Sequence, residues 1–448
     1  MSKVTFYERL KGWQEQWRQL VEALQARGAE ATIVMGPSAT SKQIAEAESR
    51  LGMLLPTELK ELLIYGGAEG YVVWSIMADV LIPFGVSGDL GWSLQALEFP
   101  DFWEETMSEQ KRFLGFYHAG NGDMLLLDLE SHADQPAVVH WDHETNEFQL
   151  LAGSLTDFLD RVTALYGIGA ESWQYEPFLD HLGINVNSAN ARRWTNWIND
   201  FLHLTLEEAR DDLRLLIRYA EVRGAAQQEL RDAFAAHDPQ AVFQAWMQRI
   251  DQEKDKNIRN SLMEYAGVMN GQYAADWVRS LWTLPEQERI NSAVLANLTA
   301  SCLPEEEGLN RVWTELERAE QEKRLNGYMA NCWLKPFRSR RVIEWMCERK
   351  RVSYPYDGWD QLFAISNPSA EDVIRWLNGN GVQRQVVITA LARFANPADI
   401  FTDREQVQQA RMLLNEELER AVIKKEKNMI GGALLALNEL QWNESNTR

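Results

Sequence analysis

Strand-forming sequence is confined to one stretch of this chain, which restricts the fold to a sheet-bearing domain flanked by helices. Beyond Gly70 the runs YVVWSI and VLIPF are short, rich in branched and aromatic residues, and separated by polar or turn residues. A helix is predicted around 93–108. From 112 to 151 four apolar runs follow, separated by GNGD, SHADQP and DHETNE, the pattern of an antiparallel meander. Gly120, Asn121 and Gly122 supply left-handed conformations for a tight hairpin, and Asp142 to Asn146 supply turn-formers for the next. After Gly169 strand signals nearly vanish.

The segment before the strands reads as helical. Phe6, Leu10, Trp13, Trp17, Leu20, Val21 and Leu24 recur at steps of three and four, one stripe of an amphipathic helix packed on the first domain. GPSAT (36–40) breaks the chain, and Thr40 with Gln43 then offers a capping box for a helix that buries Ile44, Ala47 and Leu51 and stops at Gly52. Pro56 suits the start of another helix, with Leu59, Leu62 and Leu63 on its buried side and Gly66-Gly67 as terminator. SLTDFLDRVTALYG closes the region with a helix near 154–166. The N-terminal part is therefore an α+β domain, with helices on a curved, mostly antiparallel sheet.

The remainder, 170–448, reads as all-helical. Trp246, Trp277, Trp313, Trp345 and Trp376 are spaced by 31, 36, 32 and 31 residues, which suits a repeating pair of helices, the unit of an α-solenoid. Small-residue helices such as INSAVLANLTA, QVVITALARFA and GGALLALNEL lie between them as candidate inner helices. The alternative is one irregular helical bundle.

Charge limits the partners. The chain of 448 residues has a formal net charge of −21, and residues 1–170 carry 11 Lys/Arg against 25 Asp/Glu, while the rest carries 34 against 41. Such a surface is unsuited to nucleic acid or an anionic membrane, whose binding needs clustered Lys and Arg. A basic protein partner is compatible with it. Only three cysteines occur, Cys302, Cys332 and Cys347, so no disulfide framework or C-x-x-C metal pair is expected, and a cytoplasmic location is. The most hydrophobic run, YVVWSIMADVLIPFGV, is broken by Asp79 and Pro83 short of a bilayer span.

The segments IAEAESRLGMLLPTELKELLIYGGAEG (44–70), FLGFYHAGNGDMLLLDL (113–129), PAVVHWDHE (136–144) and LLAGSLTDFLDRV (150–162) together resemble the SUKH superfamily, the Smi/Knr-like class. That resemblance divides the chain into an N-terminal helix (1–37), a SUKH-like domain (38–169) and the helical region (170–448). It implies a non-catalytic protein-binding module, in bacteria commonly an immunity protein that binds and neutralises a toxin domain. It says nothing of residues 170–448.

No catalytic, cofactor or metal set stands out from the residues. Asp123, Asp128 and Asp142 fall near the ends of adjacent strands, where paired carboxylates could serve acid/base chemistry or a divalent cation, but Asp123 and Asp142 are explained as turn residues. Asp128 shares a strand face with Met124 and Leu126, so burial would require a partner. His140 and His143 flank Trp141 and Asp142 without a nearby Cys or third His, so no metal is expected there. GPSATSK lacks the phosphate-loop spacing, and RSRR (338–341) reads as a solvated helical face. Aromatic residues dominate interface centres, and Trp74, Trp92, Trp103, Tyr117 and Trp141 lie in or near the predicted sheet. Of these, Trp74, Trp92, Tyr117 and Trp141 are the partner-binding candidates. Two functions are weighed ahead of an enzyme centred on Asp128: toxin neutralisation, and an adaptor or scaffold whose two regions hold different partners.

Overall fold

Thr5 and Glu8 close a capping box at the start of α1 (Phe6–Ala26), and the expected stripe of Leu10, Trp13, Trp17, Leu20, Val21 and Leu24 is buried. The computed structural model describes residues 5–76, 80–100, 112–132, 135–285, 289–348 and 358–440. The chain divides into two units, Met1–Ala236 and His237–Arg448. The first is α+β and the second is helical throughout its described residues.

In the first unit α1 leads into β1 (Glu30–Met35), then α2 (Ser41–Leu51), which carries the predicted Thr40–Gln43 capping box and ends on Gly52 at φ 70°. Pro56 directly precedes α3 (Thr57–Glu61); a π turn at Leu62–Gly66 follows, and Gly67 closes it at φ 109°. Next come β2 (Glu69–Ser75) and β3 (Gly88–Ser93). The expected strand VLIPF is instead a turn around Pro83–Gly85, because Phe84 and Gly85 take positive φ. Residues 93–100 of the predicted 93–108 helix form the end of β3, a turn and a bridge between Glu98 and Gly115; the rest lies outside the described residues.

The predicted meander is present as β4 (Phe113–His118), β5 (Met124–Asp128), β6 (Ala137–Trp141) and β7 (Phe148–Ala152). The strands form two antiparallel sheets, β1-β2-β3 and β4-β5-β6-β7. α4 (Leu155–Ala164) then packs against α1, where Trp13 and Trp17 donate to Asp160 and Thr163.

Past the expected boundary at 169/170 the first core continues. α5 (Ser172–Tyr175) and the two-residue strands β8 (Leu179–Asp180) and β9 (Gly183–Ile184) precede α6 (Ala189–His203). Trp194 of α6 stacks on Trp74 at 5.9 Å with an interplanar angle of 6°, and its indole N–H donates to the Leu165 carbonyl at 2.9 Å. Leaving α6 outside would expose that face, so the unit runs on through α7 (Leu206–Ala209), α8 (Leu213–Arg223) and α9 (Gln228–Ala235).

The second unit contains α10 (Pro239–Gln252), α11 (Lys256–Asn270), α12 (Ala275–Thr283), α13 (Ser292–Cys302), α14 (Glu305–Gln321) and α15 (Gly327–Leu334). It continues with α16 (Arg340–Glu348), α17 (Trp359–Ile365), α18 (Ala370–Leu377), α19 (Gly381–Arg393), α20 (Pro397–Ile400), α21 (Arg404–Arg420) and α22 (Lys424–Asn438). The five spaced tryptophans fall on α10, α12, α14, α16 and α18, one per pair. Between them α11, α13, α15, α17, α19 and α22 form a row in which each packs on the next. The row is built on small residues: a Cβ on Gly267 would lie 2.6 Å from Leu298 of the adjoining helix.

The tryptophan-bearing helices are joined mostly by side chains. Phe243 meets Trp277, Arg279 pairs with Glu307 at 2.8 Å, Arg341 covers the Trp313 ring, and Arg340 pairs with the buried Asp372 at 2.7 Å. The RSRR segment is therefore occupied in ties between α14, α16 and α18. No helix among the described residues is long and apolar enough to cross a membrane.

Candidate functional site

Three of the four partner-binding candidates are placed by glycines. Trp92 lies opposite Gly70 and Trp74 opposite Gly88 in the β2–β3 register. A Cβ on Gly70 would sit 2.3 Å from the Trp92 ring, and one on Gly88 2.0 Å from Trp74 Nε1, so each indole lies flat over a strand that has no side chain there. Trp74 and Trp92 are each 1 % exposed, and their N–H groups donate to the carbonyls of Tyr166 and Gly67. They are core residues, buried away from the surface that a partner would meet. Tyr117 is half-buried over Gly91, and its hydroxyl donates to Asp89. Burial pushes the Asp89 carboxyl above its ordinary range despite that bond, and burial together with Asp89 pushes the Tyr117 phenol up.

Trp141 is different. It is half-buried on the opposite face of the β4–β7 sheet, with its N–H on Asn146 at 2.8 Å. With Phe148 it packs on a small second cluster of Phe113, Met124, Leu126 and Val139. Leu150, 40 % exposed, pairs with Val139 and extends this face. The turn joining β6 to β7 adds the exposed Glu144 and Glu147. The result is an aromatic and aliphatic patch with an acidic rim. Trp103 lies outside the described residues.

Asp128 on the same face is satisfied. Arg112 grips it from Nε and Nη2 at 3.0 and 2.9 Å, and the Glu130 N–H adds a third bond. Burial raises its pKa, but the Arg112 bonds and charge outweigh that and leave it below the ordinary value. A carboxylate held in its charged form by an arginine is not poised to act as a general acid.

The inner-face end of the sheet brings together residues the sequence left apart. Asp123 Oδ1 lies 2.8 Å from His143 Nδ1, and Asp123 Oδ2 accepts the Ser172 N–H at 3.0 Å. The Ser172 hydroxyl donates to Asp142 at 2.8 Å, so one serine joins both carboxylates. Burial raises the Asp123 pKa, yet its bonds from His143, Asn121 and Ser172 lower it further, and the net is downward. The Thr145 N–H leads in holding Asp142 down to about 2. Asp123 raises the His143 pKa, whereas burial lowers that of His140. Sequence reading finds Asp123 and Asp142 as turn residues. Ser172 carries no local signal, because it meets them only after folding.

GPSATSK follows β1 directly. Its Gly36 and Ala39 N–H groups are nevertheless taken by the carbonyls of Glu69 and Leu63. They do not form an open phosphate cradle.

With this geometry in hand, residues 38–161 match the SMI1 / KNR4 family (SUKH-1). The N-terminal third carries a SUKH-1 domain. The match ends before Ser172 and α6, so the SUKH-1 segment is completed in space by chain beyond it. The helical region has no family match, and no curated protein or solved structure matches the chain.

Proposed function

We propose that this protein is a non-catalytic binding protein that neutralises a cognate toxin by direct association. The SUKH-1 match carries the reading, since domains of this class commonly serve as immunity proteins. The patch of Trp141, Phe148 and Leu150 supplies apolar contact area, and the exposed Glu144 and Glu147 of the adjoining turn favour a basic partner. Electrostatic attraction raises the association rate, while desolvated aromatics slow dissociation. No chemical step is needed. The test is stoichiometric binding of the purified chain to a toxin encoded beside its gene, with protection of cells that produce the toxin. A toxin that stays fully active in excess of this protein overturns the reading.

The division into two units favours a second reading, a regulatory adaptor whose SUKH-1 and helical regions hold different partners. Separate capture with each unit distinguishes the two: distinct, reproducible partners for the two units support the adaptor.

A further inference from the structure

The row of inner helices ends at α22, which packs on α19 and is flanked by α21. Its remaining face is uncovered among the described residues: Lys424, Lys427, Gly431, Leu435 and Asn438 recur at steps of three and four, and all are exposed. Two adjacent glycines serve this helix differently. Gly432 faces α19, where a Cβ would lie 3.5 Å from that of Ala392. Gly431 has nothing within 4 Å of the position a Cβ would take, and it is the middle residue of the 15-residue helix. A glycine in a helix interior costs about 1 kcal/mol relative to alanine, and no packing among the described residues offsets that cost here.

The first turn is equally unsuited to a helix standing alone. Lys424, Lys425 and Lys427 sit at the positive end of the helix dipole, and Ile423 at the N-cap position offers no side-chain acceptor. Leu435 on the uncovered stripe is 59 % exposed, and Val422, just ahead of the helix, is 88 % exposed.

We propose that this face is the contact between two copies of the chain, with their α22 helices crossing antiparallel at Gly431. A two-fold axis there pairs each residue with the one equally far beyond the glycine on the second copy. The methylene stem of Lys427 then covers Leu435 of the second copy. Lys424 meets Asn438, Glu439 and the last carbonyls of that helix, where the dipole favours a cation. The lysines that disfavour the first turn of one helix thus complement the last turn of the other. Antiparallel pairing also holds the two basic ends about 20 Å apart, whereas parallel pairing would bring them together. Without a Cβ at the crossing, the helix axes can approach to about 8 Å, the near end of the usual range. A contact built on one helix is smaller than a standard interface, which sets its affinity in the micromolar range. The inference does not depend on the partner-binding reading.

The test is analytical ultracentrifugation of the full chain from about 1 μM to about 200 μM, which should show a reversible monomer–dimer equilibrium. Gly431→Leu separates this contact from general stickiness, because it improves helix propensity and adds apolar surface yet obstructs the crossing. It should raise the melting temperature of the dilute, monomeric chain and weaken the dimer at least tenfold. Lys424→Glu and Glu439→Lys should each weaken the dimer several-fold, and the two together should restore it. The proposal is overturned if the chain stays monomeric throughout that range, which leaves the face to a different occupant, or if Gly431→Leu dimerises as tightly as wild type. Failure of the double charge exchange to restore the dimer overturns the antiparallel pairing.

Discussion

The two units use tryptophan in opposite ways. In the first, Trp74 lies over a neighbouring strand and under Trp194, and its N–H reaches a carbonyl 92 residues away. In the second, Trp376 donates to Cys347, 29 residues back, and Trp345 stacks on Trp359 of the adjacent helix. One core is closed by distant parts of the chain, so it should form all at once; the other is assembled from near neighbours, whose energies add approximately pair by pair.

Breaking the first core at its distant contacts should have the largest effect. A fragment ending at residue 169 loses Trp194 from Trp74 and Ser172 from Asp123 and Asp142. It should lack a cooperative urea transition, while a fragment ending at 236 keeps one; a sharp transition from the shorter fragment would show that the SUKH-1 segment is closed on its own. Within the full chain, Trp74→Ala should cost about 3–5 kcal/mol, read from the urea midpoint. Gly88→Ala should be damaging too, because its methyl would lie 2.0 Å from the indole nitrogen.

A milder change sharpens the other half of the contrast. Gly267→Ala brings a methyl to 2.6 Å from a Leu298 terminal carbon, which can shift, so about 1–3 kcal/mol is expected. Amide exchange should accelerate in α11 and α13 and leave α19 and α22 unchanged. Acceleration throughout the unit would mean that the row is cooperative after all.

The smallest effect is electrostatic. Arg279 leads in holding Glu307 down to about 2, with Arg311 assisting. A depressed carboxylate contributes stability that is present above its unfolded value and lost as pH falls through the folded one. That window runs here from about 4.5 down to about 2. Arg279→Ala should return the Glu307 titration, followed by NMR, towards the ordinary range.

How much of this is visible in the sequence follows from locality. The meander is legible because its turn residues sit between apolar runs, and the tryptophan period because a repeat copies its own spacing. β3 is hidden because GDLGWS contains two glycines, which weaken a strand signal; here they make room for Trp74 and Tyr117. β1 is six residues long, and the break at GPSAT draws attention from it. Aromatic type alone cannot separate Trp74 and Trp92 from Trp141, since the decisive facts are the glycine opposite and the sheet face. The boundary at 169/170 marks where strand propensity ends, whereas the first core ends only after α6 and the helices that follow have packed.

The row from α11 to α22 also bears on how this chain can change over generations. Each inner helix is fitted chiefly to the helices on either side of it. Duplication or deletion of a whole pair would therefore require new fits only at the seam, leaving the rest of the array intact. Length in this part of the protein is a heritable variable that can be tuned in steps of one helix pair.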